Sequence, residues 1–150
     1  MKITEILTKA CVLVPLESAE RMSVITELVE LLDANGRLTN RQQVLDAVLA
    51  RERTRSTGIG LGLAVPHGKS HGCTTLAMAV GMPAAPLEFD AIDGRPCSFI
   101  VLLSSPFDKT GPHIQMLAGI SRLWQNEHFR EAVTGADADD VYAAFERYQG

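Results

Sequence analysis

RERTRSTGIGLGLAVPHGKSHG, residues 51–72, is the stretch on which the reading of this chain turns. It sets two histidines, a proline and a Gly-Lys-Ser behind the glycine run Gly58-Ile59-Gly60-Leu61-Gly62. Four readings compete for it: a nucleotide-binding phosphate loop, a metal site, a histidine with chemistry of its own, and a plain turn between strands. The phosphate loop fails by one residue, because the pattern needs glycine five positions before Gly68 and Leu63 stands there. Pro66 and His67 would also stiffen a loop whose backbone should curl around phosphates. His67 and His71 have helical spacing, but Pro66, Gly68 and Gly72 deny them a helix, and neither Cys73 nor Cys97 completes a zinc spacing. The nucleophile-elbow pattern of serine hydrolases is absent.

Against the plain turn stand three features. Glycines can present successive backbone N–H groups as an anion-binding concavity. Arg51, Arg53 and Arg55 lie just upstream, at the end of a predicted helix, and guanidinium groups suit phosphate. A second histidine, His113, falls at a predicted helix start, where the dipole favours an anion. A neutral imidazole is nucleophilic near pH 7 and accepts a phosphoryl group directly. Together these parts describe a phosphoryl-accepting histidine with cationic support.

Working outward, Ala10 to Val14 reads as a strand, and Ser18 as the N-cap of a helix carrying Met22, Ile25, Leu28, Val29 and Leu32. Asn35-Gly36 ends that helix. Thr39 with Gln42 predicts a capping box for a second helix with the stripe Val44, Leu45, Val48 and Leu49. Strands are expected at Leu63 to Val65, Leu76 to Met82 and Cys97 to Leu103, with an extended piece at Leu87 to Phe89 and a turn at Asp93-Gly94. Ser104 to Gly111 reads as a loop, followed by a helix with Pro112 in its first turn and a last helix from about Asp137. This order predicts an α/β fold, a mixed sheet with helices on its faces.

The 150 residues suit one undivided domain, residues 1–150, with 46% hydrophobic and 21% charged content. Three cysteines without a CxxC argue against a disulfide framework. Net charge is −4 and no basic run occurs, so no nucleic-acid partner is expected. No apolar run reaches the roughly 20 residues that span a bilayer, so direct membrane insertion is not expected. The N-terminus, interrupted by Thr4, Glu5, Thr8 and Lys9, lacks a signal-peptide core, which predicts a cytoplasmic protein. No metal and no cofactor are expected.

The segments Arg51 to Lys69, LEFDAIDGRPCSFIVLL (87–103) and SPFDKTGPHIQMLAGISRL (105–123) closely resemble the enzyme IIA domains of the fructose–mannitol type. These belong to the bacterial phosphoenolpyruvate-dependent sugar phosphotransferase system, and the nitrogen-regulatory enzyme IIA proteins are of the same family. The resemblance implies a mixed β-sheet sandwiched by helices on both faces. It implies that His67 is phosphorylated, on Nε2 as in the relatives, and that Arg51 and His113 hold the phosphoryl oxygens. Ser56, Thr57, Gly58, Gly60 and Gly62 would form the phosphoryl-binding loop. The implied donor is the histidine-containing phosphocarrier protein. The implied acceptor is a cysteine of an enzyme IIB domain for sugar uptake, of fructose type, or else a regulatory target protein with no sugar involved. With no IIB or membrane segment in the sequence, a free-standing IIA is expected. Two departures stand out: Leu61 where relatives commonly carry a polar residue, and Arg55 where glycine is common. An apolar docking patch of Ile59, Leu61, Phe107 and Met116 is expected around His67.

Overall fold

The computed structural model describes residues 1–150. A 3-10 turn (Ile3–Glu5) leads into β1 (Leu7–Leu16), α1 (Arg21–Ala34) and α2 (Arg41–Thr54). Four short strands follow closely: β2 (Gly58–Gly60), β3 (Leu63–Ala64), β4 (His67–Lys69) and, after a turn, β5 (Ala77–Pro83). Then come β6 (Phe99–Ser105), α3 (Thr110–Trp124), α4 (Glu127–Val133) and α5 (Ala138–Tyr148). The sheet runs β1-β5-β6-β3-β2, with β4 also on β6. Pairing is mixed: β1 with β5 and β6 with both β3 and β4 are parallel, while β5–β6 and β2–β3 are antiparallel. Helices α1 and α2 cover one face, and α3, α4 and α5 the other.

The central strand is β6, all seven of whose residues are buried, as a run of apolar residues packed on both faces requires. On the α3–α5 side, Phe99 stacks on Trp124 at 4.9 Å between ring centroids and meets the edge of Phe129 at 5.9 Å. On the other side, Ile25, Leu28 and Leu32 of α1 and Val44 and Val48 of α2 are buried as their helical spacing predicts. No helix is long and apolar enough to cross a membrane.

Several local expectations need correction. The N-cap position of α1 is Glu20, which makes no side-chain cap bond, and Ser18 lies upstream of it, donating its backbone N–H to the Glu27 carboxylate. No Thr39–Gln42 capping box forms. Asn40 caps α2 by accepting the Gln43 N–H, and the Gln42 side chain donates to Asp46. Ser104 and Ser105 belong to β6 rather than to a loop, since β4 pairs with them. Leu87 is extended but makes only a single two-bond bridge with Cys97. The seven-residue α4, too short for a periodic signal, was not expected.

Around Pro66 the chain makes two strands of one path. Leu63 pairs with Phe99 and His67 with Leu103, so the register on β6 is unchanged across the break. Pro66 has no N–H to give, yet its carbonyl still accepts from Leu103. Beyond that point β4 lies directly against α2. A Cβ on Gly68 would fall 3.1 Å from the backbone of Ala47 and Val48. Gly72 closes the same seam: its carbonyl accepts the Thr39 and Asn40 N–H groups, and a Cβ there would sit 2.5 Å from the Asn40 oxygen. Gly72→Ala is therefore expected to cost about 1–3 kcal/mol, read as a lower urea midpoint at unchanged slope. A midpoint equal to wild type would show that the α2 entry turn yields freely.

Candidate active site

Three elements meet at one end of the sheet. Strand β4 carries His67, the last turn of α2 carries Arg51, and the first turn of α3 carries His113. The parallel pairing of β4 with β6 sets His67 beside Leu103 and Lys69 beside Ser105. Ser105 in turn shares a 2.7 Å hydrogen bond with His113 Nδ1, and the two imidazoles lie 5.5 Å apart between centroids. Arg51, His67, Lys69 and His113 line one open cavity of about 430 Å³. A second cavity, of about 170 Å³, is lined by Arg51, Arg55, Ser56, Thr57, Ile59 and His67 among others.

The His67 ring is oriented by its own backbone. Nδ1 lies 2.8 Å from the Val65 carbonyl oxygen, which accepts only, so Nδ1 carries the proton and donates it. Nε2 then holds the free lone pair. Burial, offset in part by that hydrogen bond, holds the imidazole below its ordinary value, and the Arg51 charge pushes in the same direction. His67 is accordingly neutral near pH 7. Arg51 Nη1 donates to the Arg55 carbonyl at 2.9 Å, which fixes its guanidinium at the end of α2. Lys69 Nζ donates to Thr110 Oγ1 at 3.2 Å, bringing a second cation to the α3 start.

His113 is 4% exposed. Its desolvation, with smaller repulsion from His67 and Lys69, pushes it down to about 4. Its backbone N–H donates to Lys109, so its side chain rather than its amide faces the site. A folded value of about 4 against 6.5 for the free group means the unfolded chain binds the extra proton first. The stability linked to neutral His113 is full above pH 6.5 and is lost as pH falls toward 4, by at most roughly 3 kcal/mol. His113→Asn should flatten the decline of unfolding free energy between pH 7 and pH 4.5. Parallel declines in both proteins would assign the acid sensitivity elsewhere.

The glycine run does not form the open nest expected of it. The Thr57 N–H and hydroxyl both donate to Glu52, and the Gly58 N–H donates to Ser56 Oγ. The Ser56 hydroxyl donates to the Phe89 carbonyl. Ser56 and Thr57 line the smaller cavity beside His67, whereas Gly58, Gly60 and Gly62 line neither. Gly60 and Gly62 have φ of +106° and +85°, which only glycine adopts cheaply, so their work is to turn the loop. Leu61 between them is also left-handed, at φ +56°, held by its N–H on Asp93 and its carbonyl on the Trp124 indole. Of the expected apolar patch, Ile59, Leu61 and Phe107 are exposed, but Met116 is buried in the core. His71 lies against Phe107 at 4.8 Å, and His128 is exposed, away from the cavities. The three cysteines are buried, and burial pushes the Cys97 thiol up to about 11. Sequence reasoning passed over Glu52, although it stands next to Arg51 in the motif.

The family model of the phosphoenolpyruvate-dependent sugar phosphotransferase system, EIIA 2, matches residues 5–148. The fructose-specific EIIABC component of Bacillus subtilis is 35% identical over 94% of this chain, which spans only 22% of that longer protein. The nitrogen regulatory protein of Pseudomonas aeruginosa is 29% identical over 91% of this chain and 88% of its own length. Among solved structures, nitrogen regulatory protein IIA-Ntr from Neisseria meningitidis superposes with a TM-score of 0.82 at 29% identity, over 95% of this chain and 98% of that one. The Escherichia coli complex of IIA and phosphorylated IIB for mannitol shares the fold, at a TM-score of 0.80 and 16% identity, over 94% of this chain and 97% of the matched one. With the family model spanning residues 5–148, this chain belongs to the EIIA 2 family of the sugar phosphotransferase system.

Proposed function

We propose that the chain, acting as one EIIA unit over residues 1–150, carries a phosphoryl group on Nε2 of His67. The observation that carries this reading is the Val65 carbonyl on Nδ1, which leaves Nε2 unprotonated in a neutral ring beside Arg51. In the forward step the Nε2 lone pair attacks phosphorus, and the N–P bond of the donor phosphohistidine breaks with its electron pair returning to the donor ring. The acceptor ring gains positive charge as its own N–P bond forms, and the Val65 carbonyl stabilises it through Nδ1–H. Arg51, Lys69 and His113 share the cavity with His67 and would meet the transferring oxygens there, where donors fixed in advance act most strongly.

The donor in this reading is the histidine-containing phosphocarrier protein. The acceptor is an enzyme IIB cysteine, with sugar uptake of the fructose type downstream. A second reading has its own support in the likeness to IIA-Ntr: the phosphorylation state of His67 switches binding to a regulatory target, without sugar. The test is a reconstituted relay of enzyme I, phosphocarrier and labelled phosphoenolpyruvate, followed by addition of separate IIB domains. Acid-labile, base-stable label that a IIB thiol discharges supports transport. Label that no IIB domain removes supports regulation, and no label at all sinks both.

A further inference from the structure

Glu52 is a carboxylate that the phosphoryl chemistry does not touch, yet it is 1% exposed in the last turn of α2, next to Arg51. Both of its oxygens are committed. Oε2 accepts the Thr57 N–H at 3.0 Å and Oε1 accepts the Thr57 hydroxyl at 2.5 Å, while the Arg21 guanidinium lies 3.8 Å from Oε2. Arg21 also donates to the Phe89 carbonyl, the same oxygen that receives the Ser56 hydroxyl.

From Thr57 the connection continues to the reacting ring. The Thr57 carbonyl accepts the Val65 N–H at 3.0 Å, and the Val65 carbonyl accepts His67 Nδ1–H at 2.8 Å. Residues 65 and 66 form the break between β3 and β4, where no ladder of the sheet holds the Val65 peptide from the β2 side. The Thr57 contact is what fixes it there. A buried charge that fixes one register of donors and acceptors is the best-attested use of such a group. A carboxylate suits the task because it only accepts, so Thr57 must donate twice and its orientation is unique. A glutamine would accept one bond and present an amide N–H where the hydroxyl proton lies.

We propose that Glu52 is a positioning residue for phosphoryl transfer: through Thr57 and the Val65 peptide it holds His67 in the tautomer that frees Nε2. This rests on His67 being the acceptor, but its first readout does not depend on phosphorylation. Imidazole 15N spectra of wild type should show His67 as the Nδ1–H tautomer. Glu52→Gln and Thr57→Val should shift it toward a mixture with Nε2–H, and Thr57→Ser should restore the wild-type pattern. Transfer from the phosphocarrier should fall about tenfold or more in kcat with little change in KM. The two losses should not add in the double variant, because both break one connection.

If Glu52→Gln does not fold, Thr57→Val alone decides. An unchanged tautomer in a folded variant, or transfer within twofold of wild type, overturns the proposal. Should the tautomer shift while label maps to a residue other than His67, the positioning stands and the acceptor assignment fails.

Discussion

His67→Ala is expected to take up no acid-labile, base-stable label from the phosphocarrier, while wild type approaches about one phosphoryl group per chain. Nothing else nearby can replace the lost nucleophile. His113 is neutral too, but its ring is 4% exposed and its Nδ1 is engaged with Ser105, which makes it a poorer target for a partner's phosphorus than the half-buried His67. The thiols of Cys73 and Cys97 are held protonated by burial. The substitution should leave the fold intact, because the His67 side chain is only half buried and makes a single hydrogen bond, to the Val65 carbonyl two residues back on the same extended path. Circular dichroism and the urea midpoint check that. Label persisting in a folded His67→Ala protein, mapped by peptide analysis to His113, would move the acceptor role there.

Arg51→Ala should leave the capacity for label in place and slow its arrival by roughly 10²–10³-fold, the cost typical of removing one pre-oriented donor. The guanidinium is fixed before any phosphoryl group arrives, because the Arg55 carbonyl holds one of its nitrogens at 2.9 Å. Little reorganisation is then needed in the transition state. The same charge helps hold the His67 imidazole below its ordinary value. Its removal lets the ring protonate at higher pH, so the acid limb of the rate profile should move upward in pH. Arg51→Lys should recover the charge effect on that limb but only part of the rate, since an ammonium cannot keep both the carbonyl and two oxygens. A rate within threefold of wild type, with the acid limb unmoved, would remove Arg51 from the chemistry.

The helices other than α4 and the buried central strand were legible from the spacing of apolar residues: Ile25, Leu28 and Leu32 recur with helical period on α1, and Phe99 to Leu103 form an unbroken apolar run in β6. Site residues far apart in sequence were legible as a set only through the motif, since nothing in spacing alone says that residues 67 and 113 meet. The sheet register of β4 on β6 brings them together. Strands of two or three residues, such as β2 and β4, carry no alternation long enough to read. The glycine run misled in a more instructive way. Glycine permits an anion nest but does not dictate one, and here the donors of Thr57 and Gly58 are taken by Glu52 and Ser56. A glutamate in a helical run of charged residues reads as solvated surface, so its buried role was invisible until the loop was folded over it.

Gly68 has a bearing on the spacing of the site. Strand β4 rests on α2 at Gly68, where the Ala47–Val48 backbone and a methyl of the Val48 side chain fill the space that a Cβ would need. The separation between nucleophile and cation is therefore set in part by how closely two main chains approach at this glycine, with the core residue Val48 beside them. A methyl group added at Gly68 would wedge the strand from the helix and carry the nucleophile away from its cation.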